Sequence, residues 1–145
     1  MNHVLLARIA LSSLCVIQAI ATVAIDFNRT HATNPLWTGH ARFHVVWQSS
    51  TVVLLSGLEV VLVWRSGSYA DAGFYLAALL AGLSPLGFLT AFVSRRMFGG
   101  TLSDPNGIPP ARVRVLGKVR EVDANLVAVV VAVVVLVAIV TIYRG

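Results

Sequence analysis

Long runs of apolar residues, separated by short polar connections, dominate the chain. Four runs are long enough to cross the roughly 30 Å hydrocarbon core of a bilayer, which takes about 20 helical residues. They are Val4–Ile25, Phe43–Trp64, Phe74–Ser94 and Asn125–Tyr143. Of the charged residues, only Arg8 and Glu59 fall inside these runs, whereas a soluble bundle would carry charge along one face of every helix. The pattern predicts an all-α fold: a single integral membrane domain of four spanning helices over residues 1–145.

The composition agrees with a lipid environment. The 145 residues are 57% hydrophobic and 12% charged, and their mean hydropathy is +0.83. Because about a quarter of an average soluble chain is charged, these values exclude most soluble enzymes. The apolar fraction also excludes a disordered protein, and the single cysteine, Cys15, excludes a disulfide scaffold.

The basic residues are unevenly divided between the two sides of the predicted membrane. The connections Asp26–Arg42 and Arg95–Ala124 must share a side, and they hold eight of the 11 lysines and arginines. By the positive-inside rule, we expect these first and third loops in the cytoplasm and both termini outside, in a multi-pass protein of the cell membrane. The net charge of +5 indicates contact with anionic membrane lipids and not with nucleic acid, because no basic patch is interleaved with stacking aromatics. We expect the charged stretch that ends at Asp123 to form a short interfacial helix.

Polar residues inside the first two spans follow the helical repeat. At about 100° per residue, those of the first span fall within roughly 120° of one another. They are Arg8, Ser12, Cys15, Gln18, Thr22 and Asp26. Those of the second span, extended back by one turn, fall within roughly 100°. They are His40, His44, Gln48, Thr51 and Glu59. Because polar groups that face hydrocarbon are costly, we expect the two stripes to face each other or a wet cavity.

Two interpretations of these stripes stay open. Ser, Thr and Gln side chains often hydrogen-bond across helix contacts, at about 0.6 kcal/mol each, and that role alone accounts for the neutral members. Glu59 lies about one turn from the end of its span. There it either pairs with Arg65 or Arg8, or serves as a proton or substrate carboxylate in a deep pocket.

The other two spans differ in character. Pro85 removes a backbone hydrogen bond from the third helix, and its neighbours Ser84 and Gly87 make a bend there tolerable. Such a bend either widens a cavity beside the stripes or only fits the helix to its neighbours. The fourth span carries no polar side chain between Leu126 and Val140, so we expect it to be the most lipid-exposed helix.

The first loop concentrates histidines. His40 and His44 have the i, i+4 spacing of a helical two-histidine metal site, and Asp26 with His31 would close a coordination sphere suited to Zn or non-haem Fe. The H-x-x-x-H motif lacks the glutamate that a zinc protease places between its histidines. Three roles therefore stay open for this loop: a metal site, a non-metal catalytic or ligand-binding site, and loop structure alone.

The same segment carries the string His31-x-x-Asn34-Pro35-x-Trp37-x-x-His40-Ala-Arg42-Phe-His44. It resembles a motif of a family of small, uncharacterised four-span membrane proteins of bacteria and fungi, known only as a domain of unknown function. The resemblance covers about the first third of the chain, and the rest agrees by hydropathy. Thr38 stands where many members have proline. The resemblance implies a four-span fold and marks these residues, but the family has no settled activity to carry over.

Together these patterns predict a membrane protein that binds or transforms a lipophilic small molecule in a polar pocket between the first three spans, with or without a metal. Candidate catalytic residues are Asp26, His40, His44 and Glu59, of which the two histidines are also the candidate metal ligands. Candidate ligand-binding residues are His31, Asn34, Trp37, Trp47 and Gln48. The alternative is an accessory or structural subunit of a larger membrane complex, in which the polar stripes are buried at protein contacts. The expected partners are membrane lipids, a lipophilic small molecule, and either further copies of the chain or a larger membrane complex.

Overall fold

The computed structural model describes residues 2–104, 109–115 and 117–145. Its four long helices are α1 (His3–Asp26), α2 (Gly39–Val63), α3 (Ala70–Ser94) and α4 (Ala124–Arg144). Each is long and apolar enough to cross a membrane. Single turns of 3-10 helix flank α3 at Gly67–Tyr69 and Arg95–Met97. The predicted all-α bundle of four spanning helices is confirmed.

A side-chain cap fixes where α2 begins. The Thr38 hydroxyl accepts a hydrogen bond of 3.2 Å from the backbone N–H of Ala41. Such a cap provides a partner for an amide group that has none within its own helix. The helix therefore begins at Gly39, one turn before the predicted membrane entry at Phe43, and His40 lies on its first turn.

The helices form a ring in which each packs against two neighbours. α1 packs against α2 and α4, and α3 packs against the same two helices, so α1 lies diagonally opposite α3. Buried Ala77, Ala81 and Gly82 keep the inner side of α3 narrow. Gly73 is required where α3 meets α2, because a Cβ at this position would lie 2.6 Å from the carbonyl oxygen of Leu62.

α4 is the helix most exposed to the surroundings of the bundle. Of its 21 residues only Ile139 and Tyr143 are buried, and its buried share is the lowest of the four helices. This agrees with the expectation drawn from its wholly apolar sequence.

The third loop contains a β-hairpin where we expected an interfacial helix, so that prediction was wrong. Strands β1 (Ala111–Val115) and β2 (Lys118–Val122) pair antiparallel. Along β1, valine alternates with arginine, which is the period of a strand and not of a helix. Gly117 takes a positive φ of 79° at the turn. Across the hairpin Arg112 lies opposite Glu121, with Nε 3.3 Å from Oε1.

Candidate functional site

The polar stripe of α1 faces the interior of the bundle. At one end, the Asp26 carboxylate accepts a hydrogen bond of 2.6 Å from the hydroxyl of Ser49 in α2. Toward the other end, the Ser12 hydroxyl accepts one of 3.0 Å from the indole N–H of Trp64, directly after α2. These contacts join α1 to α2 near both ends of the helix pair. They support a role in helix association for this stripe.

Gln18, in the middle of the same stripe, contacts α3. Its amide nitrogen donates a hydrogen bond of 3.2 Å to the carbonyl oxygen of Ala81. Pro85 lies one turn later in α3 and has no N–H, so this carbonyl lacks its usual helical donor. Gln18 therefore replaces the hydrogen bond that the proline removes, as neighbouring groups do for proline in membrane helices.

A cluster of side chains that was not predicted from the sequence lies at the end of the bundle where α1 begins and α4 ends. The Tyr143 hydroxyl donates a hydrogen bond of 2.7 Å to Asp71 and interacts with the side chain of Arg8. Its ring stacks on Phe74, with centroids 3.6 Å apart. An aromatic residue at a membrane end is the only local signal of this cluster. Its partners belong to α1 and α3, far away along the chain.

Glu59 lies in the bundle interior, apart from the histidines. Its side chain is 2% exposed, on the same inner side of α2 as Ser56. Cys15 of α1 is fully buried and in side-chain hydrogen-bonding contact with it. Among the described residues, Oε2 has no hydrogen-bond partner, and no ion pair joins Glu59 to Arg8 or Arg65. The structure thus does not contain the pairing with arginine that was one of the two expectations.

The rest of the polar stripe on α2 points away from the bundle. His40, His44, Gln48 and Thr51 are all exposed, and the adjoining Trp47 is 60% exposed. We call these five residues the α2 outer face. The expectation that the two polar stripes face each other was therefore wrong.

Small side chains explain which side of α2 turns inward. Buried Ser49 lies on the opposite side of the helix from His40, roughly 180° around its axis. Small residues let membrane helices approach closely, and their hydroxyls bond across the contact. Glu59, about 100° from His40, lies between the two sides and is buried with the serines. A helical wheel places Glu59 with the histidines because it omits the neighbouring helices.

The two histidines of the α2 outer face are in direct contact. Their Nε2 atoms are 3.0 Å apart, and their ring centroids are 4.5 Å apart. The ring of Trp47 lies 5.6 Å from that of His44. The predicted i, i+4 relationship of His40 and His44 thus brings two ring nitrogens to one point on the outside of the bundle.

Loop one is folded on itself, and three more of the predicted site residues make their contacts within it. Asn34 is 1% exposed. Its amide nitrogen donates to the Thr30 carbonyl at 3.1 Å, and its oxygen accepts from the Leu36 backbone N–H at 3.0 Å. His31 Nδ1 lies 2.8 Å from the Thr30 hydroxyl, and its ring meets Trp37 edge-on, with centroids 5.3 Å apart. These contacts support the interpretation that Asn34, His31 and Trp37 stabilise the loop.

The four-ligand metal site is not assembled within one chain. In the described part of the chain, no three His, Cys, Asp or Glu side chains lie close enough to hold a metal ion together. Asp26 is bonded to Ser49 instead, and His31 contacts Thr30. Only the His40–His44 pair has the spacing expected of shared ligands.

Among the cavities formed by the described residues, two contain none of the predicted site residues. One of about 150 Å³ lies at the end of α3, between Phe88 and Leu102. The other, of about 410 Å³, is a groove between α3 and α4. Apolar residues line most of this groove, and the polar groups of Tyr75, Thr141 and Arg144 lie along it.

No protein-family model, curated protein sequence or solved structure matches the chain. The four-span family suggested by the loop-one motif therefore stays a prediction. The geometry of the polar residues carries the functional inference.

Proposed function

We propose that this integral membrane protein acts as a subunit that associates with another membrane helix through the α2 outer face. One observation carries the proposal: the polar stripe of α1 is directed into the bundle, whereas most of that of α2 is directed outward from a spanning helix. In the inward stripe, Ser12, Gln18 and Asp26 have hydrogen-bond partners in other parts of the bundle. In the outward stripe, Thr51 donates to the Trp47 carbonyl and the two histidines contact each other, so these contacts stay within α2 and the face is exposed to a partner outside the bundle.

The depth of the α2 outer face explains why it needs a partner. Thr51 lies about 18 Å along the helix from Gly39, so the stripe extends well below the headgroups. Polar side chains directed at hydrocarbon are unfavourable. A neighbouring helix offers them hydrogen bonds at about 0.6 kcal/mol each, with a maximum near 2 kcal/mol. Association therefore relieves an unfavourable exposure.

The surface favours a helix over an enclosed small molecule. Ligand sites are concave and surround most of their ligand, whereas the residues of the α2 outer face are exposed along the side of one helix. Catalytic roles for Asp26 and Glu59 stay predictions. Their contacts with Ser49 and Cys15 support a role in holding α1 against α2.

Single cysteines that carry a thiol-linked photocrosslinker test the proposal in native membranes. The one native cysteine, Cys15, is fully buried, so we expect the thiol reagent not to modify it. We expect Gln48→Cys and Thr51→Cys to capture a protein partner. Val134→Cys, at a position 63% exposed on α4, is the matched control and should capture little. Equal yields at all three positions would contradict association through α2.

The groove between α3 and α4 favours a second function, binding of a lipophilic molecule with an anionic end. Its apolar residues suit a hydrocarbon body, and Arg144 at one end suits a phosphate or carboxylate. We expect mass spectrometry of the purified protein to find a bound anionic lipid that is lost in Arg144→Gln. An Arg144→Gln protein with the same bound lipid as the parent would exclude this site.

A further inference from the structure

We propose that the partner of the α2 outer face is a second copy of this chain, and that the two copies bind one Zn²⁺ ion between their His40 and His44 side chains. That the α2 outer face is the contact surface rests on the proposed function. The identity of the partner and the metal follow from the geometry of the histidine pair.

The pair has the spacing of two ligands to one ion. Its Nε2 atoms are 3.0 Å apart. The 3.0 Å contact is that of a hydrogen bond between rings whose planes are 80° apart. Two nitrogens at 2.0 to 2.1 Å from a tetrahedral zinc lie roughly 3.3 Å apart, so the distance fits, and zinc binding requires the rings to turn until both lone pairs point at the ion. Both rings are on the outside of the bundle, where an ion can approach them. The i, i+4 helical spacing holds the pair without help from the loop.

One chain supplies only half of the coordination sphere. Structural zinc sites have four protein ligands, and the described residues contain no group of three metal-ligating side chains. The two further ligands expected from the sequence, Asp26 and His31, are bonded to Ser49 and Thr30 instead. A zinc site with four protein ligands therefore takes the remaining two from outside this chain.

The symmetry of a membrane dimer brings the missing ligands to the right place. Two copies inserted with the same orientation are related by a two-fold axis along the membrane normal, and a two-fold contact uses the same patch on both copies. Each residue of the α2 outer face then meets its own counterpart at the same depth. Two histidine pairs at one level give four imidazole nitrogens.

The rest of the face is compatible with a copy of itself. Gln48 carries both donors and an acceptor, so two such side chains can bond to each other. The α2 outer face contains no Lys, Arg, Asp or Glu, so two copies do not repel each other there. Deeper in the membrane, Leu54 and Leu58 are exposed beside it and extend the contact as apolar packing.

Zinc binding and oligomeric state, measured together on the full-length protein in nanodiscs, test this inference. The probes are Zn²⁺ alone and Co²⁺, whose visible absorption reports tetrahedral nitrogen coordination. We expect one Zn²⁺ per two chains, a dimer in native mass spectrometry, and conversion to monomers after a chelator. His40→Ala and His44→Ala should each weaken zinc binding at least about tenfold. His3→Ala, which alters the other end of the bundle, is the matched control.

Four results separate this inference from the proposed function. One Zn²⁺ per chain in a monomer, or no zinc binding at all, overturns the shared site. A dimer or a complex with another protein that forms at the α2 outer face without zinc also overturns it, but leaves the proposed function intact. Crosslinking that is absent from α2 overturns both. Retained zinc binding in a folded His40→Ala, His44→Ala double variant excludes these ligands, and thermal unfolding checks that the variant is folded.

Discussion

The side-chain amide of Gln18 donates a hydrogen bond to the main-chain carbonyl of Ala81, one turn before Pro85. Two features that look unrelated in the sequence, a polar residue in one span and a proline in another, thus form one interaction. The proline opens a hydrogen-bonding position on α3, and α1 fills it. This pairing orients α1 and α3, which lie diagonally opposite in the ring.

The pairing predicts a non-additive double mutant. Gln18→Leu should lower the free energy of unfolding in detergent micelles by about 0.6 to 1.7 kcal/mol. In a Pro85→Ala background the loss should be much smaller, because residue 85 then donates to Ala81 itself. Denaturant titrations of the four proteins give the coupling energy. Equal losses in both backgrounds would show that Gln18 acts independently of the proline.

Glu59 should tolerate the loss of its charge but not of its volume. Because the carboxyl is buried and Oε2 has no partner among the described residues, Glu59→Gln removes a buried ionisable group while filling the same space. We expect its unfolding temperature to equal or exceed that of the parent. Glu59→Ala leaves a cavity and should lose about 2 kcal/mol or more. If both variants unfold alike, the carboxylate itself is needed.

The contact between α2 and α3 depends on Gly73. Gly73→Ala would place a methyl group 2.6 Å from the Leu62 carbonyl oxygen, so we expect a lower unfolding temperature. Gly57→Ala is the matched control, since no atom lies within 4 Å of its added methyl group. That variant should gain up to about 1 kcal/mol from helix propensity. Unchanged stability in Gly73→Ala would mean that the two helices separate without cost.

Asn34 should matter to the stability of loop one and not to partner binding. Asn34→Ala leaves the Thr30 carbonyl and the Leu36 amide without this side chain, at about 1 to 3 kcal/mol. Thr33→Ala, an exposed change next to it, should stay within about 0.5 kcal/mol. Thermal unfolding measures both variants. Loss of crosslinking in a stable Asn34→Ala protein would instead place Asn34 at the partner surface.

The orientation in the membrane can be measured without removing the native cysteine, because Cys15 is buried. We expect an impermeant maleimide to label Ser66→Cys in intact cells, since the connection between α2 and α3 lies on the side opposite to the first and third loops and is therefore predicted outside. Thr33→Cys in loop one should be labelled only after permeabilisation. Both positions are exposed in the fold, so access to the reagent depends on the membrane side. The reverse pattern would place the termini in the cytoplasm.

The four spans could be predicted from the sequence alone, because hydrocarbon thickness sets their length and apolar content. The same polarity argument agrees with the inward direction of the α1 stripe but not with the outward direction of the α2 stripe. The hairpin was not predicted, because the charge of the segment around Arg112 was taken to indicate an interfacial helix. The alternation of valine and arginine in this segment is typical of a strand.

The main error of the prediction was the side of α2 on which the histidines lie. A helical wheel gives the angles between residues of one helix but not the neighbour that each faces. On α2 the inward side is set by Ser49 and Ser56, which pack at a helix contact, and the larger polar groups of His44 and Gln48 are thereby turned outward. The positions of Ser49 and Ser56 indicated the inward side of α2. The prediction relied on the histidines instead.

Because the polar stripe of α2 points outward, it shortens the apolar length that this helix presents to the bilayer. On the outer side of α2, the apolar length from Leu54 to Trp64 is roughly 15 Å, about half of the hydrocarbon core. A short apolar length is accommodated by thinning of the adjacent lipid, at an energy that grows with the mismatch. In the proposed dimer this side of α2 is covered, so that energy is removed. A thicker bilayer should therefore favour association more strongly than a thin one.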